Sequence, residues 1–440
     1  MIHRYFPHTP EDIEEMLAAC GVDSLEALYA DVPEQLLLNR DYDLPEEMSE
    51  KEVRDFFNSL AKGNKALTCF AGFGYYDHYT PAVIPSILSR SEFLTAYTPY
   101  QPEISQGTLQ YIFEYQSMMA SLTGLDVSNA SMYDGATATA EAMMMTIAAT
   151  RKRNRVLVSA TLLPQVLDVV KTYAKYHGIA LDIIPECDGA TSIADLKSML
   201  AGDVAGVIVA TPNKYGILED FNGVAEMVHA NKSLLAMNCN ASALGAIKTP
   251  GEWGADIAAG DAQSLGMPLN FGGPYLGFLC CKKALMRKLP GRIVGATVDE
   301  AGQRSFVLTL QAREQHIRRE KATSNICSNQ GLMSLFVSVY LSLMGPQGLK
   351  EVNDMSCKGA HYLADRLTAT GKARLKFANQ PFLNEFTLTT DFNTATLMDR
   401  CAAEGILPGV IIDDHTIAIA VTEMRTKKEM DRLAEIVTNL

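Results

Sequence analysis

The chain has 440 residues, 48% hydrophobic and 20% charged, and its 38 lysines and arginines are outnumbered by 51 aspartates and glutamates, which gives a net charge of −13. At roughly 150 residues per domain, this length predicts two or three domains with sizeable cores. Because an acidic surface repels phosphate backbones and anionic lipids, the composition argues against nucleic-acid binding and membrane binding.

The start of the chain lacks the apolar core of a signal peptide, and no run of 18 or more apolar residues occurs. Nine cysteines are scattered along the sequence, and the adjacent pair Cys280-Cys281 lacks metal-ligand spacing. This pattern is typical of reduced thiols. We therefore expect a soluble, cytoplasmic protein without a metal site.

Residues 1–60 predict a helical arm. Thr9, followed by Pro10 and Asp12, is typical of a helix start, and Gly21 of a helix end. Pro33 could open another helix, and residues 49–52 (SEKE) form a capping box before an apolar run. Such an arm usually lies across another domain or subunit, and its work is expected to be structural.

Residues 61–330 alternate short apolar runs with helical stretches. Buried strands are predicted at 156–158, 181–184, 207–210 and 234–237, with a helix after the first run that ends at Gly178 and further helices near 192–200 and 222–231. Buried strands separated by helices predict right-handed crossovers. The expected fold is α/β, a large domain with a mainly parallel sheet covered on both faces.

Residues 331–440 predict a smaller C-terminal α+β domain. A long apolar helix near 328–344 should lead to it and end before Gly345-Pro346. Strands are predicted at 385–388 and 417–420, and a final helix begins at about Lys427.

In a parallel sheet, ligands collect beyond the carboxyl ends of the strands. There, residues 134–141 (DGATATAE) open a helix with small and hydroxyl side chains. Such a start can cradle a phosphate with its backbone N–H groups, but small residues also suit close helix packing. The Gly135 helix start is therefore either an anion site or a packing contact.

Residues 211–216 (TPNKYG) follow a predicted strand, in a pattern found at the mouth of many pyridoxal 5'-phosphate (PLP) enzymes or in an ordinary turn. PLP chemistry requires a lysine amine and normally a carboxylate opposite the ring nitrogen. In this layout Asn238 stands at the carboxylate position, and the stretch 256–266, where the lysine belongs, contains none. The architecture is that of a PLP enzyme without its two diagnostic groups.

Three longer runs carry a family resemblance: residues 97–107 (YTPYQPEISQG), 74–77 (GYYD) and 310–325 (LQAREQHIRREKATSN). All three are similar to runs of the glycine cleavage P-protein, and the resemblance extends over essentially the whole chain. It is a resemblance to the first, or alpha, chain of P-proteins that are split in two. It implies the fold type I architecture of PLP-dependent transferases.

The resemblance also implies an assembly, an α2β2 heterotetramer with a homologous beta chain. A His-Lys pair that binds PLP is expected on that partner, and it falls on Gln263 and Ser264 here. No cofactor and no covalent chemistry are expected on this chain. The complex would decarboxylate glycine and pass the aminomethyl unit to the lipoyl arm of the H-protein, whose disulfide accepts the electrons, so the chain would be an enzyme only together with its partner.

Tyr97, Tyr100 and Gln101 are the candidates for a site shared with the partner. Pro99 and Pro102 stiffen this loop, and in the fold type I family early loops often reach the neighbour's site. The loop would then lie beside glycine or the lipoyl arm. The alternative is a loop that only packs the subunit interface.

The stretch 313–321 is the densest positive patch of the acidic chain, with Arg313, Arg318, Arg319 and Lys321 against two glutamates. One interpretation is a docking patch that binds an acidic carrier protein or a carboxylate. The other is an internal network in which Glu314–Arg318 and His316–Glu320 pair along a helix. His316 has no partner visible in the sequence that would make it a general base.

Two other hypotheses remain open at this stage. The chain could be an independent PLP enzyme that uses Lys248 or Lys214, or a purely structural subunit whose loops never approach the partner's site.

Overall fold

The computed structural model describes residues 5–150, 152–270, 272–322 and 324–440. Residues 1–4, at the start considered above for a signal peptide, and Thr323, in the third family-like run, lie outside the described residues. The chain folds into two compact units, residues 1–65 and 66–440. The predicted boundaries at 60 and 330 stay predictions.

The first unit consists of short helices, as predicted. Helix Pro10–Cys20 begins at a capping box of Thr9 and Asp12 and ends at Gly21, whose φ of 73° is left-handed. Helix Glu50–Ala61 begins at a second capping box, formed by Ser49 and Glu52. The helix predicted at Pro33 is only a 3-10 turn, Glu34–Leu36, and a second such turn covers Glu26–Tyr29. None of residues 5–65 is buried.

The second unit is built around a seven-stranded sheet. In chain order its strands are β1 Val127–Ser128, β2 Arg155–Ser159, β3 Ala180–Ile184, β4 Val204–Thr211, β5 Leu234–Asn240, β6 Ile257–Asp261 and β7 Gly277–Cys281. Their order across the sheet is β1-β7-β6-β5-β4-β2-β3, and all pairs are parallel except those that β7 makes. The four strands predicted from apolar runs are confirmed, and so is the mainly parallel sheet.

Both faces of this sheet are buried. Along β4, Val207 and Val209 belong to one apolar core, whereas Ile208 belongs to the other, because successive side chains of a strand point to opposite faces. Helices cover each face, as parallel sheets require. The helices of the large sheet region lie at Val83–Leu88, Ser91–Leu94, Gln106–Thr123, Gly135–Thr150, Pro164–His177, Ile193–Met199 and Val224–Ala230.

The C-terminal part forms a second, antiparallel sheet. Its strands are β8 Ala373–Leu375, β9 Glu385–Thr390, β10 Val410–Asp413 and β11 Thr416–Ala420, in the order β8-β9-β11-β10. Helices Thr394–Ala403 and Lys427–Thr438 pack on this sheet, and the latter begins at the predicted residue. The strands predicted at 385–388 and 417–420 are confirmed.

A long helix, Gly331–Thr368, connects the two sheets. It changes direction at Gly345 (φ 59°, ψ −177°), where the sequence predicted its end, but the chain resumes the helix at Pro346. The prediction missed this second half, because proline is tolerated in the first turn of a new helix. An 18-residue stretch of the helix, with mean hydropathy 1.4, could cross a membrane by length and composition alone; 39% of it is buried, and Leu335, Phe336 and Val337 pack in the large core.

Three short two-stranded pairs complete the second unit. Strand Thr68–Cys69 pairs with Ile406–Leu407, and Phe70 packs in the core of the C-terminal sheet. Ile293–Val298 pairs with Arg304–Thr309, and Glu186–Cys187 with Ala190–Thr191. Residues 68–70 therefore belong structurally with the end of the chain.

Candidate functional site

A cavity lies at the carboxyl ends of β4, β5 and β6, the edge of the sheet where ligands were predicted. Its volume is about 40 Å³. That space suits a water molecule or two, whereas pockets for drug-sized ligands measure roughly 300–1,000 Å³. The lining residues are Gly74, Tyr75, Tyr76, Gly135, Ala136, Leu163, Val166, Pro212, Asn213, Asn238, Cys239, Asn240 and Asp261.

Helix Gly135–Thr150, hereafter the site helix, begins directly against the end of β6. The Gly135 N–H donates to Asp261 Oδ2 at 3.0 Å, and the Thr137 N–H donates to Asp134 Oδ1 at 2.8 Å. A Cβ on residue 135 would lie 2.7 Å from the Asp261 nitrogen. The geometry shows close packing, one of the two interpretations of this helix start, and the N–H groups of Gly135 and Thr137 donate to carboxylates of the same chain.

The two positions that PLP chemistry needs are engaged within the chain. Buried Asn238 donates from Nδ2 to Thr139 Oγ1 at 2.7 Å. Buried Ser264 donates from Oγ to Asn240 Oδ1 at 2.8 Å and accepts from the Ser242 N–H at 3.0 Å. The residues present therefore do not fit PLP: a serine hydroxyl cannot form an imine, and the site offers an amide where the ring nitrogen needs a carboxylate.

The two lysines considered as substitutes are occupied elsewhere. Lys214 Nζ donates to the Ala160 carbonyl at 2.8 Å and pairs with Glu186 at 2.9 Å. Lys248 Nζ lies 3.8 Å from the centre of the Trp253 ring. Neither lysine is among the residues that line the cavity.

A buried network closes the cavity on the side of the C-terminal sheet. Gln263 Oε1 accepts from the Tyr76 N–H, and its Nε2 donates to the Tyr76 carbonyl, both at 2.8 Å. The Tyr76 hydroxyl donates to Glu385 Oε2 at 2.8 Å, and the Phe73 N–H donates to Oε1 at 2.6 Å. Burial raises the pKa of Glu385 to about 7 and the pKa of Asp261 also to about 7. Sequence reasoning missed these roles of Glu385, Tyr76 and Asp261.

The Tyr97–Gln101 loop lies at the surface, away from this cavity. Tyr97 is 78% exposed, Tyr100 is 46% exposed and Gln101 is exposed. The Tyr100 hydroxyl accepts from Nη2 of buried Arg292 at 3.2 Å, and its ring meets the His316 ring edge-on at 5.8 Å. The structure thus brings together two predicted site residues, Tyr100 and His316, and adds Arg292, which the sequence did not indicate.

The stretch 313–321 is not a continuous helix. Helix Gln315–Arg318 is a single turn between two 3-10 turns, and Arg319 has a φ of 55°. The expected pairing along a helix is therefore wrong. The Glu314 carboxylate lies instead 3.9 Å from Arg292 Nε and 3.6 Å from His316 Nδ1.

Of the four cations in this stretch, Arg313 differs from the others. It is partly buried, its Nη2 donates to the Gly291 carbonyl at 2.9 Å, and burial lowers the pKa of its guanidinium. Arg318, Arg319 and Lys321 are exposed. Any docking patch is therefore reduced to those three.

The chain is similar in sequence and in fold to known proteins. The family model of the glycine cleavage system P-protein matches residues 3–437. The probable glycine dehydrogenase (decarboxylating) subunit 1 of Moorella thermoacetica is 48% identical over 435 residues, which are 98% of each chain. The corresponding protein of Listeria monocytogenes is 47% identical, over 98% of this chain and 97% of its own.

Solved structures agree. A glycine decarboxylase (P-protein) of the glycine cleavage system, in inhibitor-bound form, is 42% identical with a TM-score of 0.90 and covers 99% of this chain and 100% of its own. A sphingosine-1-phosphate lyase of Burkholderia pseudomallei is only 13% identical, with a TM-score of 0.68, over 93% of this chain and 94% of its own. The predicted fold class, fold type I of the PLP-dependent transferases, is confirmed.

Replacing Glu385 by Gln should flatten the pH dependence of stability. Because burial raises the pKa of Glu385 from 4.5 to about 7, the folded chain keeps a proton that the unfolded chain releases. The free energy of unfolding of the parent therefore falls as the pH rises between these values, by up to about 1.4 kcal/mol per pH unit for this group. Urea denaturation between pH 5 and 7 should show a smaller fall for Glu385→Gln.

Asp354→Asn is the matched control. A hydrogen bond from Lys350 lowers the pKa of Asp354, so this carboxylate is ionised in the folded and unfolded chains throughout the window. Its removal should leave the slope unchanged. An equal slope for Glu385→Gln and the parent would contradict the assignment of a raised pKa to Glu385.

Proposed function

Because this chain belongs to the glycine cleavage system P-protein family, we propose that it is the alpha chain of a two-chain glycine dehydrogenase (decarboxylating). Together with a homologous beta chain, in an α2β2 assembly, it takes part in the decarboxylation of glycine and the transfer of the aminomethyl group to the lipoyl arm of the H-protein. PLP is supplied by the partner. The observation that carries this proposal is the cofactor position, where Ser264 stands in place of a lysine.

Three features support the absence of PLP from this chain. The cavity of about 40 Å³ is too small for the cofactor. The helix start that would meet a phosphate already binds the Asp261 carboxylate. The side-chain amide of Asn238, opposite the expected ring position, donates a hydrogen bond to Thr139. With no covalent step of its own, the chain works through its surface.

We propose that the Tyr97–Gln101 loop forms a wall of the partner's active site. Tyr97 and Tyr100 present phenol groups on a proline-stiffened surface loop, and Arg292 fixes the Tyr100 hydroxyl at 3.2 Å. His316 braces the same ring at 5.8 Å. A hydroxyl held in place, as that of Tyr100 is, suits the positioning of a small polar substrate beside the partner's cofactor. The alternative is a purely structural subunit with no residue in that site.

The second surface proposal concerns the H-protein. Arg318, Arg319 and Lys321 are exposed beside Tyr100 and His316, on a chain with a net charge of −13. A local positive patch on an acidic surface steers an acidic carrier protein toward one face. We propose that this patch receives the H-protein next to the shared site.

The cofactor proposal is tested by spectroscopy. The chain mixed with PLP alone is expected to show no visible absorption band of lysine-bound cofactor, and the mixture with its partner is expected to show the band together with glycine-dependent CO2 exchange. Borohydride trapping followed by peptide mapping locates the labelled lysine. A trapped peptide from this chain, for instance one that contains Lys214 or Lys248, would overturn the proposal.

The shared-site proposal is tested by removing single hydroxyls. In the reassembled complex, Tyr97→Phe and Tyr100→Phe should each lower kcat/KM for glycine by about 10–100-fold, the worth of one hydrogen bond to a charged group. Tyr176→Phe, at a tyrosine that is 77% exposed, is the control and should match the parent. If both loop variants turn over glycine like the parent, only the structural role remains.

The docking proposal is tested by charge reversal. The double variant Arg319→Glu/Lys321→Glu should raise the KM for the H-protein about tenfold at low salt, with little change in kcat, and the difference should shrink above 0.5 M salt because ions screen surface charges. Arg400→Glu/Lys428→Glu, with the same charge change at exposed positions of two C-terminal helices, is the control. Equal KM values for the two variants would exclude this patch as the docking site.

A further inference from the structure

The carboxylate of Asp261 lies at the N-terminus of the site helix, the kind of position at which proteins bind anions. Asp261 ends β6 and lines the cavity, and both of its oxygens are engaged: Oδ2 accepts from the Gly135 N–H at 3.0 Å, and Oδ1 accepts from the Gln263 N–H at 2.8 Å. The N-terminus of a helix favours negative charge, and a carboxylate there replaces an external anion.

We propose that Asp261 is a built-in anion that closes the phosphate position of this fold, so that the site helix excludes phosphate monoesters. The inference rests on the proposed function, for which it supplies the physical reason that the cofactor goes to the partner chain. Nothing in the proposed reaction uses this carboxylate.

Several groups in the first turn of the site helix that could bind a phosphate are already paired. The Thr137 N–H is taken by the Asp134 carboxylate at 2.8 Å. The Thr139 hydroxyl donates to the Gly135 carbonyl at 2.7 Å and accepts from Asn238. A phosphate dianion would therefore meet two carboxylates and hydrogen-bonding groups that are already paired, and like charges at such distances repel.

The lack of free space beside the Gly135 N–H also indicates that Asp261 blocks the phosphate position. A Cβ on residue 135 would lie 2.7 Å from the nitrogen and 2.9 Å from the Cβ of Asp261, so the helix start and the strand end are in direct contact. The Asp261 side chain fills the place that remains beside the Gly135 N–H. Shortening this side chain would uncover the N–H and open the existing cavity of about 40 Å³.

The test uses the full chain, inorganic phosphate and no PLP. At pH 8, above the pKa of about 7 of Asp261, Asp261→Ala should bind phosphate at least tenfold more tightly than the parent, measured by 31P NMR titration and by the rise of Tm with phosphate concentration. Asp134→Ala is the matched control: it removes a carboxylate from the same helix start and leaves Asp261 in place. It should gain far less affinity than Asp261→Ala, because Asp261 still occupies the Gly135 N–H.

Asp261→Asn provides a second variant that keeps the shape of the side chain and removes its charge, in case the alanine variant does not fold. It should gain less phosphate affinity than the alanine variant, because it removes the repulsion but its amide still fills the place beside the Gly135 N–H; a crystal structure of the alanine variant in phosphate should place the anion at that N–H. The proposal is overturned if the parent binds phosphate at this helix start, or if a folded Asp261 variant gains no affinity.

These outcomes are independent of the cofactor test. Lysine-bound PLP on this chain would overturn the proposed function, whereas phosphate binding is measured without PLP or the partner. A failure of one is therefore distinguishable from a failure of the other.

Discussion

The geometry of the site depends on one steric contact, the direct approach of the site helix to the ends of two neighbouring strands. Residue 135 is glycine because a Cβ there would lie 2.7 Å from the backbone of Asp261 in β6. Gly277 in β7 allows the same turn to approach from the other side, since a Cβ there would lie 2.3 Å from the Asp134 carbonyl oxygen. This approach puts the Gly135 N–H on the Asp261 carboxylate and Thr139 within reach of Asn238.

The elements of the fold were largely predictable because they follow from local patterns. A continuous apolar run such as 207–210 has to be buried on both faces, and the structure divides Val207 and Ile208 between two cores. The capping residues Thr9 and Ser49 mark helix starts through hydrogen bonds that span only three residues. The stretch 313–321 was less predictable, because its charge spacing fits a helix while a left-handed residue, Arg319, interrupts it.

The site was predictable only in part. The position of Asn238 could be read from the order of strands and turns, and the family resemblance placed the missing lysine at Ser264. The groups that close the cavity and the partner of Tyr100 could not be predicted, because these contacts join residues distant in sequence: Tyr76 and Glu385 are 309 residues apart, and Tyr100 and Arg292 are 192 apart. Asp261 lay inside the stretch searched for a lysine, but whether a carboxylate faces solvent or a helix N-terminus is decided by packing.

The complete hydrogen bonding around Ser264 has a consequence for how such a chain can change over generations. A lysine at position 264 would place an ammonium group among Asn240 and Ser242, in a buried place whose partners are already paired, and burying a charge there is costly. It would still face the amide of Asn238 and a helix start held by Asp261. Positions 238, 261 and 264 would all have to change before the residues of this chain could fit PLP. The path from this arrangement to a cofactor site therefore runs through intermediates that carry a buried, unpaired charge.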